Sequence, residues 1–485
     1  MFLFTLLLIT SNIILSNNEK LIFVETLSRH GARAPIKLND TGYDLMNIKW
    51  TTPGELTPIG KRMEYLLGLY NRQRYITGKY NFLSKKYDPH ELIVYSSDIN
   101  RTLLSITSQL QGLYPMSPEY GDKLEPEQYN VSFPPFNISY ENFSEEIKLL
   151  NDSALPDYMT IIPIHFISLK NTTTECAEKV DLINKENANN KKNVFNFIEE
   201  FNNKYSEILN TFYHRKKDLK FEFSMINAIF DAIIADTTEG KDISRFFKAN
   251  NIDINDFYEK RFEVAKMFFR DFVFGDDDNK VILFYNTPLL KIMINYMKRK
   301  IEDDINDNQS VKNVSDYSRP KMVIISGHDT TLSAQELFFI KFFNLSLEKY
   351  EYPTFTSQIS FEITRDDDEV LKEKNISLNS LNYSDYNIFY YFNDKLMLKT
   401  TFDKFAQIIE NKIWNSEKMD NFCFGDKKEN IEISLIIIVF MGFLILILSI
   451  ALIVLIAKVR KKDDNLLDSF KQDKDNKLLN NDNEE

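Results

Sequence analysis

Three short clusters of polar residues contain the side chains best suited to chemistry in this sequence. They are Arg29-His30-Gly31-Ala32-Arg33, the segment 96–102 with Arg101 near its end, and Gly327-His328-Asp329. Arginine binds phosphate or carboxylate groups through paired hydrogen bonds, and histidine acts as a nucleophile or a proton carrier near neutral pH. Each cluster alone is also compatible with a basic surface turn or a structural histidine, so the three must be considered together.

A short β-rich run precedes each cluster. Residues 21–27 lead into the first cluster, 92–95 into the second and 323–325 into the third. A fourth run, 281–285, predicts another strand, followed by a helix that starts near Pro288. Strands that alternate with helical patterns predict an α/β fold with a mostly parallel sheet flanked by helices. Because the carboxyl ends of parallel strands share one edge, we expect the three clusters to meet in one pocket.

The pattern changes between residues 121 and 274. An irregular stretch around Pro134 and Pro135 leads to long polar segments, 193–212 and 255–272, in which apolar residues recur every three or four positions. This spacing predicts helices. We therefore expect a helical cap domain, 121–274, inserted between two parts of an α/β core, 17–120 and 275–430.

Both ends of the sequence carry membrane signals. Residues 1–16 are apolar or uncharged, which predicts a secretory signal peptide or, alternatively, an uncleaved anchor. Residues 433–457 form an uncharged apolar stretch long enough to cross a bilayer, and basic residues follow it from Lys458 to Lys462. The positive-inside rule places those basic residues in the cytosol. The sequence thus predicts a single-pass type I membrane protein with residues 17–432 lumenal or extracellular and a disordered tail, 458–485.

Composition narrows the classes of function. Asp and Glu number 71 against 59 Lys and Arg, and the resulting net charge of −12 disfavours nucleic acid as a partner. The two cysteines, Cys176 and Cys423, are too few for a cysteine-rich zinc module. In an oxidising lumen they can form one disulfide, although two free thiols remain the alternative. N-glycosylation sequons, which chance also produces in an Asn-rich chain, occur at Asn39, Asn130, Asn137, Asn142, Asn151, Asn171, Asn308, Asn313, Asn344, Asn375 and Asn382.

Taken together, the clusters resemble the motifs of the histidine acid phosphatases, the branch of the histidine phosphatase superfamily that includes the lysosomal and prostatic acid phosphatases. The similarity runs in order through segments 27–35, 54–60, 95–102, 112–115 and 327–332. The positions of the two cysteines also look like one of the disulfides of that family. The cap is similar to the family only in its position and helical character.

The resemblance implies a role for each residue of the clusters. His30 would be the nucleophile that forms a phosphohistidine, and Asp329 would be the general acid. Arg29, Arg33, Arg101 and His328 would bind the phosphate of a phosphate monoester. No metal and no cofactor is expected, since the arginines would supply the positive charge. Because a free aspartic acid has a pKa of about 3.9, activity is expected at acidic pH, in a lysosome or vacuole or at the cell surface. A homodimer is implied by the resemblance alone.

Two alternatives remain open. An inositol polyphosphate phosphatase or phytase shares the arginine-histidine motif, but that branch commonly carries a His-Ala-Glu pattern where this sequence has His328-Asp329. A catalytically inactive surface glycoprotein of the same fold would be expected to lack a site residue, and none is missing here. Outside the clusters, His165 is expected to be structural, with a position near the pocket as the alternative, and His90 and His214 are expected to lie at the surface. Asp98 and Asn100 are expected to start a helix.

Overall fold

The computed structural model describes residues 18–36, 50, 52–78, 80–136, 138, 140–167, 174–213, 222–242, 248, 254–306 and 319–481. In this part of the chain, a single sheet of seven strands forms the centre of the fold. The strands are β1 (Glu19–Arg29), β2 (Leu92–Ser96), β3 (His165–Phe166), β4 (Met322–Gly327), β5 (Gln358–Asp366), β6 (Asn387–Phe392) and β7 (Lys395–Thr401).

The strand order is β3-β2-β4-β1-β5-β6-β7. Strands β3, β2, β4 and β1 pair in parallel, whereas β5, β6 and β7 extend the sheet with antiparallel pairs. Since β6 is antiparallel to β5, it runs in the same direction as β1, and most strands therefore share one direction. The predicted α/β class with a mostly parallel sheet is confirmed, and the antiparallel edge is an addition that the sequence analysis did not foresee.

The described residues form twelve α-helices of six or more residues. They are α1 (Pro58–Arg72), α2 (Asn100–Leu113), α3 (Phe143–Leu150), α4 (Thr174–Asn190), α5 (Lys192–Tyr213), α6 (Phe223–Thr238), α7 (Ile254–Met267), α8 (Lys280–Ile305), α9 (Asp329–Phe342), α10 (Asp368–Glu373), α11 (Phe402–Lys412) and α12 (Ser416–Asn481). Short π-helical turns, Gln73–Thr77 and Phe268–Val273, extend α1 and α7. On one face, apolar residues of β1, β2 and β4 form a core with α2. On the other, Phe339 of α9 packs on Phe361 of β5.

The predicted strand at residues 281–285 is wrong. These residues belong to α8, a single helix that continues through Pro288 to Ile305. A short apolar run with no polar alternation fits a buried strand and a buried helix equally well. The residues after the run distinguish the two, because buried positions recur at helical spacing as far as Leu290, Met293, Ile294 and Met297.

Helices α5, α6 and α7, together the helical segment, have an apolar core of their own. The two segments predicted to be helical correspond to α5 and to α7 with its π-helical turn. Buried side chains of α5, α6 and α7 pack together, among them Val194, Phe201, Tyr205, Phe223, Ile226, Ile229, Phe230, Ile233 and Val264. These helices lie within the region for which the sequence predicts a cap.

The chain divides after Asn415 into two units, and α12 belongs to the second. Ile438–Lys462 is long and apolar enough to cross a membrane and overlaps the predicted span, 433–457. The helix continues to Asn481, so the expectation of a disordered tail from residue 458 is not met. Extending an existing helix needs no new nucleation, which explains how a charged segment stays helical. The predicted signal peptide, 1–16, lies outside the described residues.

The two cysteines, Cys176 and Cys423, are both disulfide-bonded. Since the sequence contains no other cysteine, the bond joins these two. The structure therefore contains the expected disulfide and not the two free thiols of the alternative interpretation.

Candidate active site

The carboxyl ends of β1, β4 and β2 bring the three polar clusters together. Arg29 at the end of β1 is paired with Gly327 of β4, and Ser96 of β2 is paired with Ser326 of β4. Two backbone hydrogen bonds continue this alignment beyond the strands, one from His30 N to Gly327 O and one from Ser97 N to Ser326 O. The sheet register thus places the first, second and third clusters side by side, as the sequence analysis expected.

Close packing of two backbone segments holds the loop after β1. A Cβ atom added to Gly31 would lie 2.4 Å from the carbonyl oxygen of Gly60, at the start of α1, and one added to Gly60 would lie 2.1 Å from Ala32 O. Thr57 caps α1 through its hydroxyl, and its backbone N–H donates to Ala32 O. Glycine is therefore required at both positions, and the 54–60 motif serves to hold the His30 loop in place.

His30 is buried, and its protonation state suits a nucleophile. Nδ1 lies 2.9 Å from the carbonyl oxygen of Gly31, so this nitrogen carries the proton and donates it. Nε2 is then the nitrogen with the available lone pair. Burial and the positive charges of Arg29 and Arg33 lower the pKa of His30 well below its usual range. The imidazole therefore remains neutral at acidic pH.

Arg29 is fully buried and fixed on several sides. One terminal nitrogen donates to the hydroxyl of Tyr352 at 3.0 Å and to the carbonyl oxygen of Pro353 at 2.8 Å. The other forms an ion pair with Asp329 at 2.9 Å. The ring of Phe355 lies 4.4 Å from the guanidinium carbon, in cation–π contact, and 5.9 Å from the ring of His30.

Three guanidinium groups leave buried hydrogen-bond donors without a partner. Among the described residues, no acceptor pairs with the Nε atoms of Arg29, Arg33 and Arg101, although all three atoms are buried. Burial lowers the pKa of Arg101 to about 10, with Arg33 as the next cause, so this side chain stays charged in acid. Buried donors are nearly always paired in folded proteins. Unpaired donors on three cations at one place are typical of a site that binds an anion.

His328 caps α9 and links the second and third clusters. Its Nε2 lies 3.0 Å from the hydroxyl of Ser97, and its Nδ1 lies 3.4 Å from a terminal nitrogen of Arg101. Ser97 in turn contacts the hydroxyl of Thr102 at 2.8 Å. The rings of His30 and His328 are 5.5 Å apart and nearly perpendicular. Ser97 and Arg101 therefore fix the orientation of His328 beside His30.

Asp329 is the first residue of α9 and lies between charged neighbours. Its carboxylate accepts a hydrogen bond from the backbone N–H of Thr330 at 2.8 Å and pairs with Arg29, and the side chain is 20% exposed. Burial acts to raise the pKa of Asp329, but the charges of Arg29, Arg33 and His328 outweigh it and lower that pKa overall. In the free protein, Asp329 is therefore a carboxylate with solvent access.

The structure adds residues that the sequence analysis did not name. Tyr352 and Phe355 come from the segment before β5, and Asp231 of α6 binds Arg33 through both of its oxygens, at 2.9 and 3.1 Å. Nothing in the sequence marks Asp231, because it is one of many acidic residues in a helical pattern. The aromatic pair sits in a 351–357 segment with no chemical signature of its own.

Two of the remaining histidines and the predicted helix start lie outside the group of side chains described above. His165 lies on β3 with its ring 5.9 Å from that of Tyr95, and His90 is exposed and pairs with Asp88. His214 lies outside the described residues. Helix α2 begins at Asn100, as expected. Among the described residues, no group of three or more His, Cys, Asp or Glu side chains is arranged to hold a metal ion.

The chain is similar to known proteins in sequence and in fold. The sequence profile of the histidine phosphatase superfamily (branch 2) matches residues 20–378, and the chain belongs to this family. Lysosomal acid phosphatase of Xenopus laevis is 30% identical over 175 residues, which are 36% of this chain and 37% of that protein. Prostatic acid phosphatase of Bos taurus is 38% identical over 100 residues, 20% of this chain and 24% of that protein.

These sequence matches span about a quarter to two fifths of the curated relatives. A solved structure extends the comparison of the fold, since the phytase of Citrobacter braakii aligns with 82% of this chain and 99% of its own, at a TM-score of 0.51 and 14% identity. At that identity the likeness concerns the fold alone.

Proposed function

We propose that this protein is an acid phosphatase that hydrolyses phosphate monoesters through a covalent phosphohistidine on His30. The observation that carries the proposal is the set of unpaired Nε donors of Arg29, Arg33 and Arg101 around a neutral, buried histidine. Three positive charges suit a tetrahedral phosphate dianion, and a neutral imidazole beside them suits attack on phosphorus. Similarity to lysosomal and prostatic acid phosphatases supports the same activity.

In the first step, the lone pair of His30 Nε2 forms a bond to phosphorus, and the bond from phosphorus to the ester oxygen breaks. Asp329 donates a proton to the departing oxygen, so that a neutral alcohol leaves. Arg29, Arg33, Arg101 and His328 hold the non-bridging oxygens and stabilise the charge of the transition state. The hydrogen bond from Nδ1 to Gly31 O stabilises the positive charge that develops on the ring.

In the second step, water attacks the phosphohistidine. The Asp329 carboxylate takes a proton from that water, the bond from phosphorus to Nε2 breaks, and inorganic phosphate leaves. Asp329 is then protonated again and ready for the next ester. One carboxyl thus serves as acid and as base, which requires the solvent access that its side chain retains.

The direction of the pKa shift of Asp329 has a consequence for the pH profile. In the free protein, Arg29 lowers the pKa of Asp329. A bound phosphate dianion competes for Arg29 and adds negative charge nearby, and both effects raise that pKa. The active complex therefore forms in acid, where Asp329 holds its proton while His30 remains neutral.

We further propose that residues 121–274 form a cap over the phosphatase core and that the chain is a type I membrane protein with its catalytic unit lumenal or extracellular. The candidate span Ile438–Lys462 and its basic end support this orientation. In sealed vesicles, an epitope inserted after residue 480 should be digested by a protease on the cytosolic side and protected from a protease on the lumenal side. Digestion of that epitope from the lumenal side would reverse the orientation.

Hydrolysis by the full-length protein in detergent tests the proposed activity. We expect turnover of an aryl phosphate that peaks in acid and survives a chelator. Asp329→Asn should lose roughly 10² to 10⁴-fold with an alkyl phosphate, whose leaving group needs a proton, and much less with a nitrophenyl phosphate, whose leaving group does not. An equal loss with both esters would remove Asp329 from the role of general acid. A folded protein inert on both esters would contradict the proposed function.

A further inference from the structure

Asp231 brings a negative charge from the helical segment into the candidate site. It lies on α6, far from the three clusters in sequence, and its two carboxylate oxygens accept hydrogen bonds from the two terminal nitrogens of Arg33 at 2.9 and 3.1 Å. Arg33 is 3% exposed, whereas the Asp231 side chain is 21% exposed. The contact is therefore a partly open, bidentate ion pair at the edge of the phosphate-binding group.

The pair determines how Arg33 can meet a substrate. One terminal nitrogen of Arg33 donates to Asp231 and also to the carbonyl oxygen of Ala34 at 3.1 Å. The other donates to Asp231. The buried Nε has no partner among the described residues. Asp231 thus occupies the forked end of the guanidinium and leaves the Nε edge available for an oxygen of the phosphate.

Before a phosphate binds, the side-chain charges of the site nearly cancel. Arg29, Arg33 and Arg101 contribute three positive charges, and Asp231 and Asp329 contribute two negative ones. With His328 neutral, binding a phosphate dianion makes the site negative by one charge, or neutral once Asp329 is protonated. The field of Asp231 is not confined to Arg33, because it also opposes the lowering of the pKa of Arg101 and adds to the raising of the pKa of Tyr352.

We propose that Asp231 is a specificity-determining residue that favours phosphate monoesters with an uncharged or cationic leaving group and disfavours those with further phosphate groups. This inference rests on the proposed phosphatase activity and names its substrate class. A single phosphate uses the positive charge of the three arginines, so the Asp231 carboxylate repels a second phosphate on the same substrate. A cationic leaving group meets the same carboxylate favourably.

Coulomb's law gives the size of the effect. Two unit charges several ångströms apart in a partly solvated site interact strongly enough to change a rate by roughly tenfold or more. Asparagine has nearly the shape of aspartate and can still accept a hydrogen bond from Arg33, but it lacks the charge. Asp231→Asn is therefore the substitution that isolates the electrostatic contribution.

The test compares kcat/KM of the full-length protein for three esters, namely choline phosphate, a neutral aryl phosphate and inositol hexakisphosphate. We expect Asp231→Asn to raise the ratio of inositol hexakisphosphate to aryl phosphate by about tenfold and to lower the ratio of choline phosphate to aryl phosphate by several-fold. Asp231→Glu, which keeps the charge, should retain the wild-type order of preference. A purely structural role of Asp231 would change all three esters in parallel and would overturn the inference.

A matched control is available on the same helix. Glu222 precedes α6, is exposed, and lies about 13 Å along the helix axis from Asp231. Glu222→Gln removes the same charge and should leave both ratios unchanged; an equal shift in this variant would assign the effect to net charge and overturn the inference. A wild-type protein inert on all three esters would instead contradict the proposed function.

Discussion

The edge of the sheet and the helical segment contribute to the candidate site in different ways. At the sheet edge, three strands in fixed register place Arg29, His30 and His328 with backbone hydrogen bonds on either side. The helical segment contributes Asp231 through a single side-chain contact to Arg33. Substitutions at the sheet edge should therefore reduce turnover of every ester, whereas substitutions in the helical segment should change the preference among esters.

The two regions differ in how well they tolerate substitution. Residues at these strand ends form backbone hydrogen bonds of the sheet and also carry the side chains of the site. Substitutions there are therefore poorly tolerated, because the fold and the chemistry depend on the same residues. A side chain on a helix with its own apolar core can change without disturbing the sheet. Under the proposed mechanism, the reaction would be a property of the sheet edge, and the choice of leaving group a property of α6.

Removing the nucleophile should have the largest effect. His30→Ala should reduce kcat by at least about 10⁴-fold for all esters, since the variant lacks the nitrogen proposed to form the covalent intermediate. His90→Ala is the matched control, because His90 is exposed and pairs with Asp88 away from the three clusters. Steady-state assays of both variants measure the difference. Turnover of His30→Ala within tenfold of wild type would remove the histidine from the reaction.

Removing a phosphate-binding cation should have the next largest effect. Arg101→Ala should lose about 10² to 10³-fold in kcat/KM, because a buried donor and a positive charge disappear from the transition state. Arg62→Ala, an exposed arginine on α1, should be near wild type. Thermal unfolding should show that both variants remain folded. An equal loss in the two variants would point to a general charge effect instead of a specific contact.

Removing a hydrogen bond that orients His328 should reduce activity less. Ser97→Ala removes the 3.0 Å contact to Nε2 of His328 but leaves Arg101 on the other side of the ring. We expect a loss of about tenfold, in kcat more than in KM, since Ser97 positions the histidine without touching the substrate. Ser108→Ala, whose half-buried hydroxyl donates to Leu104 O within α2, is the control. A loss as large as that of Arg101→Ala would mean that Ser97 itself contacts phosphate.

A different kind of effect concerns the stability of the sheet and not turnover. Burial raises the pKa of Glu25 on β1 to about 8, and both of its carboxylate oxygens are unpaired among the described residues. The folded state therefore holds a proton that the unfolded state releases above its ordinary pKa of about 4.3. The free energy of unfolding should fall as the pH rises from about 4.5 to 8, by up to about 1.4 kcal/mol per pH unit from this residue.

Glu25→Gln should flatten that part of the profile. The experiment measures unfolding of the two proteins at several pH values between 4.5 and 8, with the exposed Glu373→Gln as control. Burial likewise raises the pKa of Glu64 and that of Glu336 to about 8, so part of the slope should remain in the variant. A wild-type slope in Glu25→Gln would show that this carboxyl is paired in solution.

Much of the sheet edge was predictable from the sequence, because each chemical cluster follows a β-rich run and the ends of parallel strands must meet. The strand predicted at 281–285 failed, since five apolar residues carry no periodicity and only the longer pattern of α8 reveals a helix. Asp231 could not be found, because its role depends on how α6 packs above Arg33 and on no local pattern. Tyr352 and Phe355 were missed for the same reason.

Trapping the phosphoenzyme tests the central claim most directly. The full-length protein is mixed with a labelled phosphate ester in acid, quenched in alkaline denaturant within milliseconds, and digested for peptide mapping. The account predicts an alkali-stable, acid-labile phosphoryl group on the peptide that contains His30, absent from His30→Ala and present in His90→Ala. A protein that turns over the ester but never carries label on His30, including in the slowed variant Asp329→Asn, would contradict the covalent mechanism.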